Sequence, residues 1–342
     1  MNIKRTFFSL AGIAAPLVPL NLYAAITSLK LIMPTYHLID DEENVPHVNR
    51  LYPVRNRKFF LRDIEFFSQF NFLSLQDIIK IAKGEKKIDK PSVFISFDDG
   101  FRQVHDVVAP ILIQKGIPAT VFLNSSTLDN KDLMFRNKAS LIMNLISGRD
   151  FSIKEFNEKS GMRMESKSDL SSFVRSIRYF QKEKLDEIAR FAGVDFNDFL
   201  KSYRPYLNSE QVRNLLTSGF DIGAHSIDHP LYSEIPLEEQ VRQTTTNINF
   251  LKEKFGINSC SFAFPFTDNG VQNSFFRYFY HENCGLLDVS FAGAGLKKDP
   301  CRFHFQRIPM EKSLSSASRI ISSEYLYYIA KSVFNKNTIK RK

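Results

Sequence analysis

Val93-Phe94-Ile95-Ser96-Phe97-Asp98-Asp99-Gly100 is the stretch on which the fold turns. Apart from Ser96, its first five residues are β-branched or aromatic; Pro91 precedes them, and two carboxylates and a glycine end the run. Such a run reads as a buried strand carrying Asp98 and Asp99 to its C-terminal end. In parallel α/β architectures that end of a strand is where active sites are assembled. Two adjacent carboxylates there are costly unless a cation, a proton or a hydrogen-bond network compensates them. An ordinary strand closed by an Asp-Gly turn would read the same way. The rest of the chain has to decide.

Outward from this stretch, strand and helix signals alternate. Val104 to Lys115 reads as a helix closed by Gly116, and Pro118 to Leu123 as the next strand, which is the order of a parallel α/β sheet. Upstream, Leu31 to Met33 opens a short strand ending at Tyr36-His37, and the polar, Pro-interrupted segment from Asp40 to Arg57 reads as a loop. Phe59 to Phe72 and Leu75 to Ala82 have apolar residues at helical spacing, the second with Ser74 as N-cap. Downstream, Asn208 or Ser209 caps a helix closed by Gly219, and Phe220 to His225 is a strand. Leu237 to Phe255 is a long amphipathic helix ending at Gly256, and Ser261 to Phe266 is a strand running into a Pro turn. Strand and helix signals continue through Leu286–Phe291 to Phe303–Pro309. Between about 129 and 206 the rhythm breaks into Lys, Glu, Ser and Phe at helical spacing. That region reads as a helical insertion, a lid or substrate-selecting module in preference to a decorative excursion.

A chain of 342 residues can bury a large core, as one decorated barrel or as two domains. With 33 Phe, 12 Tyr and no Trp, that core is expected to be built on phenylalanine. Lys and Arg number 46 against 37 Asp and Glu, a net charge of +9 that suits an anionic partner or a mildly basic enzyme. No Arg/Lys block with interleaved aromatics marks a nucleic-acid face, so no nucleic-acid partner is expected. Cys260, Cys284 and Cys301 have no Cys-x-x-Cys spacing and form no disulfide framework; one disulfide with a spare thiol stays open. Residues 1–29 begin with Lys4 and Arg5, run through apolar Phe7 to Ala15, and contain Pro16 and Pro19. They read as a signal peptide or a membrane-associated segment, placing the protein at the cell envelope, with a cytoplasmic start as the alternative. The barrel is assigned to 30–312, and 313–342 to a basic C-terminal tail expected to fray.

His225-x-x-x-His229-Pro230 is the second informative stretch. Two imidazoles four apart at a strand end can converge on one cation when the turn between them brings both rings to one side. Added to Asp98-Asp99, they make a two-His, one-carboxylate ligand set with one carboxylate spare. Such a set leaves positions open for water and substrate. A metal there would acidify its water, and the spare carboxylate would take the proton. That arrangement is a hydrolase.

At this point the sequence resembles a known family. Ser96-Phe97-Asp98-Asp99-Gly100 is similar to the first motif, and Gly223-Ala224-His225-Ser226-Ile227-Asp228-His229-Pro230 to the second, of the polysaccharide deacetylases (carbohydrate esterase family 4, the NodB-homology domain). Phe262-Ala263-Phe264-Pro265-Phe266 resembles the third motif of the branch reading Phe-Ala-Tyr-Pro. The resemblance spans about Leu31 to Glu311. It implies a distorted (β/α) barrel of seven or eight strands and metal-dependent removal of an acetyl group from a glycan. By the same resemblance Asp98 is the base, and Asp99, His225 and His229 hold a divalent metal, zinc ahead of cobalt, nickel or manganese. The backbone at Pro265 and Phe266 lines the site and can donate to the oxyanion.

Two departures leave roles to fill. No arginine stands in the third motif to orient the base, and Arg307 is the candidate substitute. No close match to the family's late Asp and Leu-x-His appears; Asp288 and His304 are nearest, and His37 is a further candidate acid. The expected substrate is an N-acetylated glycan of the cell surface or its precursor, and membrane-surface association is a separate expectation. An O-acetyl esterase on the same site and a catalytically weak glycan-binding barrel are the rival readings.

Overall fold

Short parallel strands form at β1 (Leu31–Ile32), β2 (Pro34–Tyr36), β3 (Asn71–Phe72), β4 (Ser92–Val93), β5 (Ser96–Phe97), β6 (Thr120–Leu123), β7 (Asp221–Ala224), β8 (Ser261–Ala263), β9 (Val289–Ala292), β10 (His304–Gln306) and β11 (Ile308–Pro309). The structure is a computed structural model and describes residues 15, 18–41, 45–312 and 315–341. Eight of the strands form one sheet in the order β10-β9-β8-β7-β6-β5-β2-β11, and every pairing is parallel. Only Arg307 separates β10 from β11, so one run of chain pairs with β9 on one side and with β2 on the other. The sheet therefore returns to its starting edge as a distorted (β/α) barrel. β1, β4 and β3 make a small second sheet.

Phenylalanine fills part of the core, as the composition suggested. Phe94 stacks on Phe291 at 5.3 Å, Phe122 meets Phe291 at 5.3 Å, and Phe305 stacks on the same ring at 5.9 Å. Burying a side chain of this size is worth about 1.5–3 kcal/mol. Gly223 leaves room for this packing, because a Cβ there would lie 2.5 Å from both the Phe122 ring and Ser261 Oγ.

The surrounding helices begin and end where side chains supply the missing hydrogen bonds. Leu75–Lys83 opens on a capping box between Ser74 and Asp77, and Ser209–Thr217 on one between Asn208 and Gln211. Leu237–Phe255 ends at Gly256 in the left-handed region. Two segments differ from the expectation. The helix read from Phe59 to Phe72 runs from Arg57 to Phe67, and Phe72 belongs to β3. The backbone there pairs with the strand beside it, Leu73 N–H donating to Val93 O at 2.9 Å. The segment from Val104 is also not uniform. Its first turn, Val104–Val108, is a π-turn in which Ala109 N–H reaches Val104 O, just before Pro110, which has no N–H to donate.

Between β6 and β7 lies the helical insertion, with helices Phe135–Ile146, Ile153–Ser160, Lys167–Ser176, Glu183–Ala192 and Phe196–Tyr203. It has an apolar cluster of its own, centred on Ile142, Leu170, Val174, Leu185 and Ile188.

Much of the segment expected to be a signal or membrane-associated stretch, residues 1–14, 16 and 17, lies outside the described residues. The described part forms the helix Leu20–Thr27, where Tyr23 stacks at 5.7 Å on Tyr325 of the helix Ala317–Ser332. Among the described residues no helix is long and apolar enough to cross a membrane. The basic end, expected to fray, is docked through residue 341. The Arg341 side chain is 3% exposed and lies between Asp268 and Asp299, because carboxylates this buried need a cation beside them. All three cysteines are free.

Candidate active site

β5 delivers Asp98 and Asp99 to the carboxyl end of the barrel, and the backbone turns sharply to separate the two side chains. Asp98 N–H continues the strand by donating to Tyr36 O at 2.9 Å, whereas Asp99 has φ +71° and Gly100 φ +65°. A Cβ on Gly100 would also approach Leu123 Cδ2 to 2.8 Å, so glycine is required there twice over. Asp99 in the left-handed region stores strain of order 1–3 kcal/mol.

The two carboxylates have different partners. Asp98 is gripped by Arg307 through both oxygens, Nη1 to Oδ1 at 2.7 Å and Nη2 to Oδ2 at 2.6 Å, and Nη1 also donates to Ser96 Oγ at 2.9 Å. The sequence could name Arg307 only as a candidate substitute, and the structure brings it to Asp98. The guanidinium lies 5.3 Å from the centroid of Phe122 and 5.9 Å from that of Phe291, on top of the aromatic interior. Burial raises the Asp98 carboxyl, but the Arg307 charge, with His225, outweighs it and holds the group below its ordinary value.

Asp99 faces imidazoles. Its Oδ1 lies 3.3 Å from His225 Nε2 and 3.2 Å from His229 Nε2. His225 Nδ1 is 2.8 Å from the Ala263 carbonyl, which can only accept, so in the neutral ring Nδ1 carries the proton and Nε2 turns a lone pair toward Asp99. Asp99 Oδ1 is buried and accepts no hydrogen bond, and His229 Nδ1 is likewise buried without a partner. Lone pairs facing one another in a buried site call for a cation. Two imidazole nitrogens and a carboxylate oxygen suit a divalent transition ion, so the metal that the sequence resemblance implies fits this donor set. Burial also raises the Asp99 carboxyl, yet the two imidazoles beside it, His229 ahead of His225, together hold the group well below its usual range.

The turn carrying the histidines is pinned from several sides. Asn124 donates to the carbonyls of His225 and Ser226, Asn247 to Ser226 O at 2.6 Å, and His229 N–H to Ser226 Oγ at 2.9 Å. Ser226 and His229 have φ of +71° and +65°. Phe266, at φ +58° and 47% exposed, sets its ring edge-to-face against His229 at 4.4 Å. Pro265, one residue earlier, accepts the Thr267 N–H at 2.6 Å in the same turn.

The other candidates go separate ways. His37 follows β2 at the same end of the barrel; its N–H donates to Glu311 Oε1 at 2.5 Å, and its Nδ1 is 3.3 Å from Glu311 Oε2. Burial would lower its pKa, but Glu311, with Asp99 and Asp98 adding to it, lifts it to about 9. His304 is placed in a second buried group instead, with Ser290 Oγ at 2.7 Å, Asp268 at 3.2 Å and Asp299 alongside. Strand alternation is the reason, since Phe305 and Arg307 face the interior and His304 and Gln306 the opposite side. Asp288 sits at the other end of the strands, accepting the Cys260 N–H at 2.8 Å just ahead of β8. Glu311, Asn124 and Asn247 escaped the sequence reading, because no spacing marks residues that act on a site from other elements.

A family model described as polysaccharide deacetylase matches residues 85–274, which include both carboxylates and both histidines. Among solved structures, the Streptococcus pyogenes deacetylase PplD in complex with acetate is 12% identical, at a TM-score of 0.55, with 86% of this chain and 98% of that one covered. IcaB from Ammonifex degensii is 15% identical, at 0.50, covering 86% and 96%. A de-N-acetylase from Aggregatibacter actinomycetemcomitans is 14% identical, at 0.50, covering 83% and 96%. At these identities the likeness is one of fold. Curated protein sequences returned no match.

Proposed function

The chain belongs to the polysaccharide deacetylase family, and from that premise we propose that it hydrolyses acetyl groups, N-acetyl first, from a cell-envelope glycan or its precursor. Asp98 is the base, and Asp99, His225 and His229 hold a divalent ion, zinc ahead of cobalt, nickel or manganese. The observation that carries the reading is the division of labour between adjacent carboxylates, one held by Arg307 and the other facing two imidazoles. When bound, such an ion polarises an acyl oxygen and acidifies water.

The chain's own residues supply the rest. Arg307 keeps Asp98 ionised and oriented, so the carboxylate is ready to take the proton of the water that attacks the acetyl carbon. The backbone N–H of Phe266, in the turn after Pro265, is the donor for the oxyanion. His37, protonated at neutral pH, gives its proton to the leaving amine. The cell-envelope placement, with residues 1–29 as a signal or membrane-associated segment, is supported by the sequence alone.

The test is acetate release from a panel of N- and O-acetylated oligosaccharides, with divalent metal supplied and metal content measured on the same sample. Asp98→Asn should retain its metal and lose roughly 10²–10⁴-fold in kcat on the N-acetylated members. Acetate release by Asp98→Asn at the wild-type rate would sink the assignment. A preference for O-acetyl members would turn the reading to an esterase.

A further inference from the structure

The helical insertion reaches the candidate site at two places. Asp228 lies inside the His225–His229 turn, and Tyr179 Oη stands 2.7 Å from each of its carboxylate oxygens. Lys182 Nζ pairs with Oδ2, and Gln243 Nε2 donates to Oδ1 at 2.8 Å. Gln243 comes from the barrel helix Leu237–Phe255 and also accepts the Ile227 N–H at 2.9 Å. Tyr179 and Lys182 come from the insertion, about fifty residues away in sequence from the turn they grip. The second place is aromatic. Tyr179 meets Phe135 at 5.7 Å, Phe135 meets Phe266 at 6.3 Å, and Phe266 meets His229 at 4.4 Å.

We propose that Tyr179 and Lys182 are positioning residues which, through Asp228, set the pose of His229 as a metal ligand. The insertion is then a working part of the site. The inference rests on reading Asp99, His225 and His229 as the metal ligands. Its physical basis is the backbone of the turn. Ser226 and His229 are in the left-handed region, which a non-glycine residue keeps only where its surroundings over-determine it. Asn124, Asn247 and Gln243 fix the first half of the turn. The half next to His229 is held by its N–H on Ser226 Oγ, by Phe266 against its ring, and by the anchored Asp228 side chain. With Tyr179 and Lys182 removed, that carboxylate keeps Gln243 alone and can swing toward solvent. The strained backbone then loses one of its restraints, and His229 Nε2 is held less firmly beside Asp99 Oδ1.

The experiment uses the full chain stripped of metal, as wild type, Tyr179→Phe, Lys182→Met and the double variant. Zinc affinity is read by competition with a chromophoric chelator, and kcat and KM for acetate release are read at limiting and at excess zinc. Thermal melts of the metal-free proteins report folding. Tyr179→Phe removes one hydroxyl and keeps the ring on Phe135, so it carries the test even if the double variant fails to fold. The expected result is a loss of about tenfold in zinc affinity, with kcat reduced at limiting zinc, recovered at excess zinc, and KM unchanged. Lys182→Arg, which keeps a cation beside Asp228, should hold zinc as wild type does. Folded Tyr179→Phe and Lys182→Met that bind zinc with wild-type affinity would overturn the inference and leave the deacetylase reading standing. A wild-type chain that binds no divalent metal would overturn both.

Discussion

Glu311 changes the charge state of His37 near the candidate site. It holds His37 at both the backbone N–H and the ring, and the ring stays one-quarter exposed, at 25%. Against the lowering effect of burial, the Glu311 carboxylate lifts His37 from 6.5 to about 9. The folded chain thus keeps a proton that the unfolded chain gives up. Its contribution to stability is complete below the unfolded value and is lost as pH rises through the folded one. In Glu311→Gln, the His37 ring should titrate nearer its ordinary value by NMR, and the alkaline limb of kcat/KM should move down in pH with it. A ring midpoint that stays at the wild-type pH would refute the pairing, and a limb that does not follow the ring would remove His37 as the acid. Residues at this scale were legible where local order carries their chemistry. Asp98, Asp99, His225 and His229 stand together at strand ends, and the structure brings the last three within one small group. Arg307 and His304 were not separable in that way. They are three apart on one strand run, and which of them faces inward depends on how that run closes the barrel.

At the scale of elements, β7 depends on a residue with no side chain. Gly223 pairs with Phe122 across the sheet, and a Cβ on it would meet the Phe122 ring and Ser261 Oγ, each at 2.5 Å. Its φ is not in the left-handed region, so the argument is one of space. Gly223→Ala should lower the free energy of unfolding by about 1–3 kcal/mol, as overpacking of a filled interior does. Urea unfolding would show it as a lower midpoint at an unchanged slope. A midpoint equal to wild type would mean that the interior has slack the distances do not show. Helices with both ends signalled were read closely. Leu237–Phe255 has its Gly256 stop, and Leu75–Lys83 its Ser74 start. The helix from Arg57 was overrun because Phe70 and Phe72 keep an apolar rhythm after the backbone has left the helix to pair with β4.

At the scale of the molecule, the candidate site fastens together points that are distant in sequence. Asp98 joins β5 to the β10–β11 junction through Arg307, and Asp99 joins β5 to the turn after β7 through the histidines. The barrel itself was legible from the alternation of strands and helices. The docking of the basic end was not, since nothing in Lys336 to Arg341 distinguishes the one side chain that is buried between Asp268 and Asp299. An ion that binds only this folded arrangement must stabilise the fold by mass action. At a free concentration one hundred times its Kd the gain is about 2.7 kcal/mol. For a chain of this size that should raise Tm by roughly 3–5 °C over the chelated protein. His229→Gln should lose most of the rise while its chelated Tm stays close to that of the chelated wild type. An equal rise in His229→Gln would place the ion elsewhere. Among the described residues the other group with suitable donors is Asp268, Asp299 and His304, and there Arg341 already supplies the positive charge. An ion entering that group would have to displace a buried guanidinium, so its apparent Kd there should be higher and the Tm rise should need more free ion. The Tm rise that His229→Gln loses and the free-ion concentration at which the rise appears together identify the occupied group.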